Sequence, residues 1–133
     1  MSWTVLFHED FEAEFDDFSA SVQDELLAEA HFVELFGPQT GRPHVDTLKD
    51  SSYTNMKELR FEAADGEWRV AFAFDPKRRA ILLVAGDKSG VSERAFYKRL
   101  IAKADDRYAR HLAVLRQQAT LAKQKTHPPR GKR

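Results

Sequence analysis

The 133-residue chain contains no cysteine, which excludes disulfide staples and thiolate metal sites. It has no apolar run near the roughly 20 residues of a membrane-spanning helix. Its start, Met1-Ser2-Trp3-Thr4, lacks the basic segment that opens a secretory signal. These absences together give the expectation of a cytoplasmic protein. The histidines, His8, His31, His44, His111 and His127, include no pair with zincin spacing, and no Gly-x-Ser-x-Gly elbow occurs. Neither a metal centre nor a serine triad is expected. Basic residues are scarce in one half: residues 1–56 carry two basic (Arg42, Lys49) against twelve acidic groups, a net of −10. Residues 57–133 carry nineteen against nine, a net of +10. The zero total argues against an indiscriminate polyanion binder. The basic half leaves two readings open, a phosphate-attracting surface or mutual neutralisation of the halves.

Hydrophobic residues make up 42% and charged residues 32% of the chain, a mixture that suits one globular domain. Trp3–Phe7 is β-branched and aromatic and reads as a strand. Apolar residues spaced by three and four then predict helices over 9–18 and 21–36, the second opened by Ser21 with Asp24 as a capping box and ended by Gly37-Pro38. Residues 37–55 read as a long loop with a helical turn near Asp46–Lys49. Strands follow at Met56–Ala63, Glu67–Phe74 and Ala80–Ala85, the last wholly apolar and so an interior strand. Phe96, Leu100, Ala104, Tyr108 and Leu112 step by four through a final helix. The expected order is β-α-α-β-β-β-α, an α+β fold with a mainly antiparallel twisted sheet and helices on one face. Residues 1–120 form the expected domain and 121–133 a basic flexible tail.

Asp65-Gly66 is the turn pair of a two-residue hairpin, which sets Glu62 opposite Arg69 and Arg60 diagonal to it. Alternation buries Leu59, Phe61, Trp68, Val70 and Phe72 on one face and leaves Glu58, Arg60, Glu62, Arg69, Ala71 and Ala73 on the other. Two arginines over a small-residue floor suit a phosphate, because guanidinium groups donate bidentately to oxyanions. Pairing of Arg69 with Glu62 on a solvated face explains the same pattern. Lys88, in Gly86-Asp87-Lys88-Ser89-Gly90, lies near a helix start, where exposed amides favour anions; this loop lacks Walker spacing.

Several ordered blocks resemble a known group. They are Gly41-Arg42-Pro43-His44-Val45-Asp46-Thr47-Leu48-Lys49, Asn55-Met56-Lys57-Glu58-Leu59-Arg60, Arg69-Val70-Ala71-Phe72-Ala73-Phe74-Asp75-Pro76, and Ala80 through Lys88 to Phe96-Tyr97. They are similar to HigB-type toxins, the phage-derived branch of the RelE/ParE superfamily, over residues 3 to about 115. The resemblance implies a toxin held by a cognate antitoxin, often of helix-turn-helix type. It also implies ribosome-dependent cleavage of mRNA with no metal or cofactor: the 2′-hydroxyl attacks its own phosphate, leaving a cyclic phosphate. The implied working surface is the concave basic face of the sheet.

By that match Arg60 and Arg69 become phosphate clamps, Lys88 a charge stabiliser or proton carrier, and Tyr97 the phenol near the site. Lys49, Lys57, Arg94 and Lys98 add electrostatic grip on RNA. The general base stays unassigned. Two alternatives keep the fold: a non-enzymatic ParE-like gyrase inhibitor, and an inactive module that binds antitoxin or DNA.

Overall fold

In a computed structural model that describes residues 2–126, the chain forms β1 (Thr4–Phe7), α1 (Glu9–Asp16), α2 (Ala20–Phe36), β2 (Val45–Thr47), β3 (Met56–Ala63), β4 (Gly66–Phe74), β5 (Arg79–Asp87) and α3 (Glu93–Thr126). The five strands make one sheet in the order β1-β5-β4-β3-β2. β1 runs parallel to β5, and every other pair is antiparallel. The α+β class and the mainly antiparallel sheet agree with expectation. Strand β2, three residues long, replaces the helical turn expected near Asp46; its Asp46 pairs with Glu58. Ser19 rather than Ser21 caps α2, accepting from the amide of Val22 at 3.4 Å.

Two cores explain where the helices lie. On one face Phe11, Val22, Leu26 and Val33 from α1 and α2 meet Leu59, Phe61, Val70, Phe72 and Leu82. On the other, Phe96, Leu100, Ala104 and Tyr108 from α3 meet Ala71, Ala73, Ile81 and Leu83. The helices therefore flank both faces of the sheet, not one. The physical reason is saturation: α1 and α2 already fill the first face, so the apolar stripe of α3 is buried on the second. Ala71 and Ala73 are small because a helix lies directly over them, and both are fully buried. They are not an open floor. β5 lies inside the sheet, with Leu82 and Leu83 buried on opposite faces, as its unbroken apolar run predicts.

The β3–β4 hairpin turns at Ala64 and Asp65, whose φ angles are +49° and +61°, the left-handed pair of a type I′ turn. Gly66 pairs with Ala63. This glycine serves close approach instead of turn geometry: a Cβ there would lie 2.6 Å from Oδ2 of Asp87. The register places Arg60 directly opposite Arg69, and Glu62 opposite Glu67. The expected Glu62–Arg69 pairing is thus replaced, while both arginines keep the same face because the slip preserves parity.

Two ion clusters fix α3, one to the sheet and one to the sheet and α1. Asp75, with a side chain wholly excluded from solvent, accepts from the Lys77 and Arg79 amides, the Arg79 guanidinium and His111 Nε2. Arg107 donates to the Leu83 carbonyl at 2.8 Å and to both oxygens of Glu14 in α1. Among the described side chains Leu115 is the last buried one, and residues 116–124 are exposed. α3 runs to Thr126, six residues past the expected domain end at 120; the remainder of the expected tail, 127–133, lies outside the described residues. No helix among the described residues is long and apolar enough to cross a membrane.

Candidate functional site

A cavity of about 980 Å³ opens where β2, the β2–β3 loop and β3 meet the first turns of α3. Five of the eight residues singled out in the sequence line it: Lys49, Arg60, Arg94, Tyr97 and Lys98. α3 covers the sheet over β4 and β5, so the expected open basic face is reduced to this margin. Arg60 reaches the cavity from β3 with its side chain one-third exposed, 3.7 Å from Asp46 Oδ2. Asp46 also binds Arg42 at 2.7 Å. The Thr47 amide, then Arg42 and Arg60, hold its carboxyl below the usual range.

Arg69 does not line the cavity. Its side chain is 6% exposed and lies beneath Glu58, with Nε 3.8 Å from Glu58 Oε1. One guanidinium nitrogen donates to the Trp68 carbonyl at 2.9 Å, and Nε is buried without a hydrogen-bond partner. A surface clamp is therefore the wrong description of Arg69. It is a buried counter-ion, because α3 closes over the β4 side of the face.

Lys88 follows β5, and its ammonium donates to Glu93 Oε1 at 2.8 Å. It stands behind Glu93 and does not itself line the cavity. Lys57 does not join the cavity. It shares the strand parity of Leu59 and Phe61, leaves the sheet on the opposite face from Arg60, and donates to Thr47 Oγ1 at 3.3 Å.

The residue that sequence reasoning missed is Glu58. Its carboxylate is 7% exposed, lines the cavity and accepts from the Tyr97 hydroxyl at 2.8 Å. Burial pushes its pKa up, opposed by Tyr97, Arg60 and Arg69. Burial and then the Glu58 carboxylate push the Tyr97 phenol up to about 12. The pair thus holds a base of raised pKa against a phenol that stays protonated at neutral pH. The only signal in the sequence was that Glu58 shares a face with Arg60; its burial depends on α3.

Glu93 and Asp46 were likewise unread. The cavity wall carries four acidic groups (Asp46, Asp50, Glu58, Glu93) and four basic ones (Lys49, Arg60, Arg94, Lys98). The site is charge-compensated by the chain's own carboxylates.

Comparison with known proteins places this architecture. The family described as phage-derived protein Gp49-like matches residues 13–109. HigB3 of Mycobacterium tuberculosis, a candidate toxin by its name, is 49% identical over 81 residues, 61% of this chain and 68% of that protein. HigB2 of the same organism is 44% identical over 89 residues, 66% of this chain but only 44% of that protein. The E. coli toxin RelE, in an arginine-substituted form in the free state, superposes with a TM-score of 0.55 at 12% identity, over 77% of this chain and 97% of that one. That likeness concerns the fold.

Proposed function

Because the chain belongs to the Gp49-like family of phage-derived proteins, in the HigB-type branch of the RelE superfamily, we propose that it is the toxin of a toxin–antitoxin pair and cleaves mRNA at the ribosome. The observation that carries this reading is the Glu58–Tyr97 pair beside Arg60, in a cavity that also collects Lys49, Arg94 and Lys98.

Cleavage by the substrate's own 2′-hydroxyl asks for three things. A base takes the 2′-proton, cations stabilise the charge that grows on the phosphorane, and an acid protonates the departing 5′-oxygen. Glu58 suits the first, because its raised pKa brings its basicity closer to the working pH. Arg60 suits the second, being the guanidinium that lines the cavity next to Glu58. Tyr97, protonated at neutral pH, suits the third. As the O2′–P bond forms and the P–O5′ bond breaks, the 2′-proton passes to Glu58 and the phenolic proton to the 5′-oxygen. Glu58 then returns its proton to Tyr97 across their 2.8 Å hydrogen bond, which restores both groups. Arg69 acts through Glu58 as a positioning residue. Lys49, Arg94 and Lys98 hold flanking phosphates.

The cognate antitoxin, of helix-turn-helix type, silences the toxin. The test is induced expression without antitoxin, followed by 5′-end mapping of cellular RNA. Codon-phased cuts with new 5′-hydroxyl ends are expected, lost in Arg60→Ala and Glu58→Gln. Growth arrest with intact RNA and a DNA-damage response would transfer the chain to the gyrase poisons.

A further inference from the structure

We propose that Glu93 sets the ligand specificity of this cavity: its carboxylate holds, at Lys88, the place that a phosphate of single-stranded RNA takes on binding. The inference rests on the RNA reading above and adds to it a displaced group and a cost of entry.

Three observations converge on Glu93. The Lys88 side chain is 15% exposed, and its ammonium donates to Glu93 Oε1 at 2.8 Å. Glu93 itself is 71% exposed, so it swings away from Lys88 without unpacking any core side chain. Glu93 also lines the cavity with Arg60 and Tyr97. The hydrogen bond and charge of Lys88, then the fields of Arg69 and Arg60, hold its carboxyl below the usual range. The carboxylate therefore stands in the combined field of the three cations that the sequence pattern marks out for phosphate.

The consequence is selectivity for a polymer. With four groups of each sign on the wall, a lone monoanion gains little by entering. A strand sets successive phosphates against Arg60, Lys98 and Lys88 together, and that multiple contact displaces a tethered carboxylate. Displacement leaves the wall one positive charge in excess and opens Lys88 to the ligand. Glu93 also has an ordinary role as an acidic residue in the first turn of α3, where the helix dipole favours it. That role requires no contact with Lys88, which separates the two readings.

The experiment measures binding of a single-stranded 2′-O-methyl oligoribonucleotide, which cannot cleave itself, by fluorescence anisotropy over a salt series. The proteins are the parent, Glu93→Gln, Lys88→Gln and the double variant, with thermal melts to check the fold. Glu93→Gln is expected to bind about 3–10-fold tighter near 0.1 M salt, with the log–log salt slope steeper by about 0.7, the value of one added phosphate contact on a single strand. The gain is expected to vanish when Lys88 is already Gln. An unchanged slope overturns the assignment, and so does a gain that survives without Lys88. If cleavage in cells still depends on Arg60 while the slope is unchanged, only the Glu93 inference falls. If neither the parent nor Glu93→Gln binds the oligonucleotide, the Glu93 inference falls, and the 5′-end mapping alone decides the RNA reading.

Discussion

Arg69→Ala is the sharpest test of a buried counter-ion against a surface clamp. The Arg69 and Glu58 side chains are 6% and 7% exposed, so removing the guanidinium leaves a buried carboxylate with the Tyr97 hydrogen bond and the field of the more exposed Arg60. Breaking a buried ion pair from one side costs about 3–5 kcal/mol. Two features lower that figure. The contact is 3.8 Å, with Arg69 Nε making no hydrogen bond, and burial already raises the Glu58 pKa, so protonation offers an escape. A loss of about 2–3 kcal/mol remains. An unfolding entropy of about 2.1 cal/mol/K per residue converts each kcal/mol into about 3–4 °C for a chain of this length, so Tm falls by about 7–11 °C.

The pH dependence has a definite sign. A carboxyl group whose folded pKa exceeds its unfolded value stabilises the fold below the unfolded value, and that contribution is lost as pH rises through the folded one. Without Arg69 the Glu58 pKa rises further, so the deficit against the parent widens between about pH 5 and about pH 8. Arg69→Ala/Glu58→Gln removes the stranded charge and is expected to recover at least half of the loss. Calorimetric melts of the three proteins at both pH values supply the numbers. A single variant that melts within about 2 °C of the parent at both, or a double variant no better than the single, would refute the argument.

Tyr97→Phe removes the hydrogen bond that opposes the rise of the Glu58 pKa; stability falls by about 1 kcal/mol, and on the RNA reading cleavage drops with loss of the acid while the acid limb of the residual pH profile moves to higher pH. A limb that stays in place would exclude Glu58 as the base. Asp75→Asn disturbs a wholly buried carboxylate held low, against its burial, by His111 and Arg79, and costs about 3 kcal/mol. Because the folded pKa is depressed, the parent's contribution is complete above the unfolded value and is lost as pH falls through the folded one. Urea melts in acid should therefore show a shallower loss of stability in the variant; parallel curves would contradict this. Deleting residues 121–133 should leave Tm within about 2 °C, because the described side chains beyond Leu115 are all exposed, and a larger drop on calorimetry would assign that segment a structural role.

Periodicity and parity were readable in the sequence, and they carried most of the fold. The apolar run of β5, the alternation in β3 and β4, and the four-residue steps of α3 are local signals, and each element stands where those signals put it. Strand β2 was unreadable because three residues carry no period of their own; its pairing with β3 creates it. The site was half legible for a related reason. Alternation placed Arg60, Arg69 and Glu58 on one face in any register that buries the aromatics, but it is silent on which part of that face a later helix covers. The covering of Ala71 and Ala73 by α3 turned Arg69 from an open-face cation into a buried counter-ion and turned Glu58 from a solvated neighbour into a buried carboxylate. The placement of Lys57 on the face opposite Arg60 follows from parity alone, which the sequence did contain.

The pairing of Arg69, Lys88 and Arg60 with carboxylates follows from the way the site is built. A sheet face that closes under α3 cannot bury Arg69 without an anion beside it, since an unpaired buried charge costs far more than a paired one. Glu58 meets that requirement for Arg69, Glu93 does so for the mostly buried Lys88, and Asp46 holds Arg60 and Arg42. The three carboxylates differ in how readily they leave. Glu58 is buried and bound to Tyr97, so it stays and is available for proton transfer. Asp46 is anchored by the Thr47 amide at 2.8 Å, so it stays and limits the charge that Arg60 offers. Glu93 alone of the three is mostly exposed and bound only through its side chain to Lys88. On the RNA reading, this ranking makes the mouth of the cavity the adjustable part and its floor the fixed part. Glu58→Gln should then abolish cleavage without strengthening RNA binding, whereas Glu93→Gln should strengthen binding while leaving the Glu58–Tyr97 pair intact. Parallel anisotropy and 5′-end mapping on the two variants separate these outcomes, and identical behaviour of both would show that the cavity senses only its total charge.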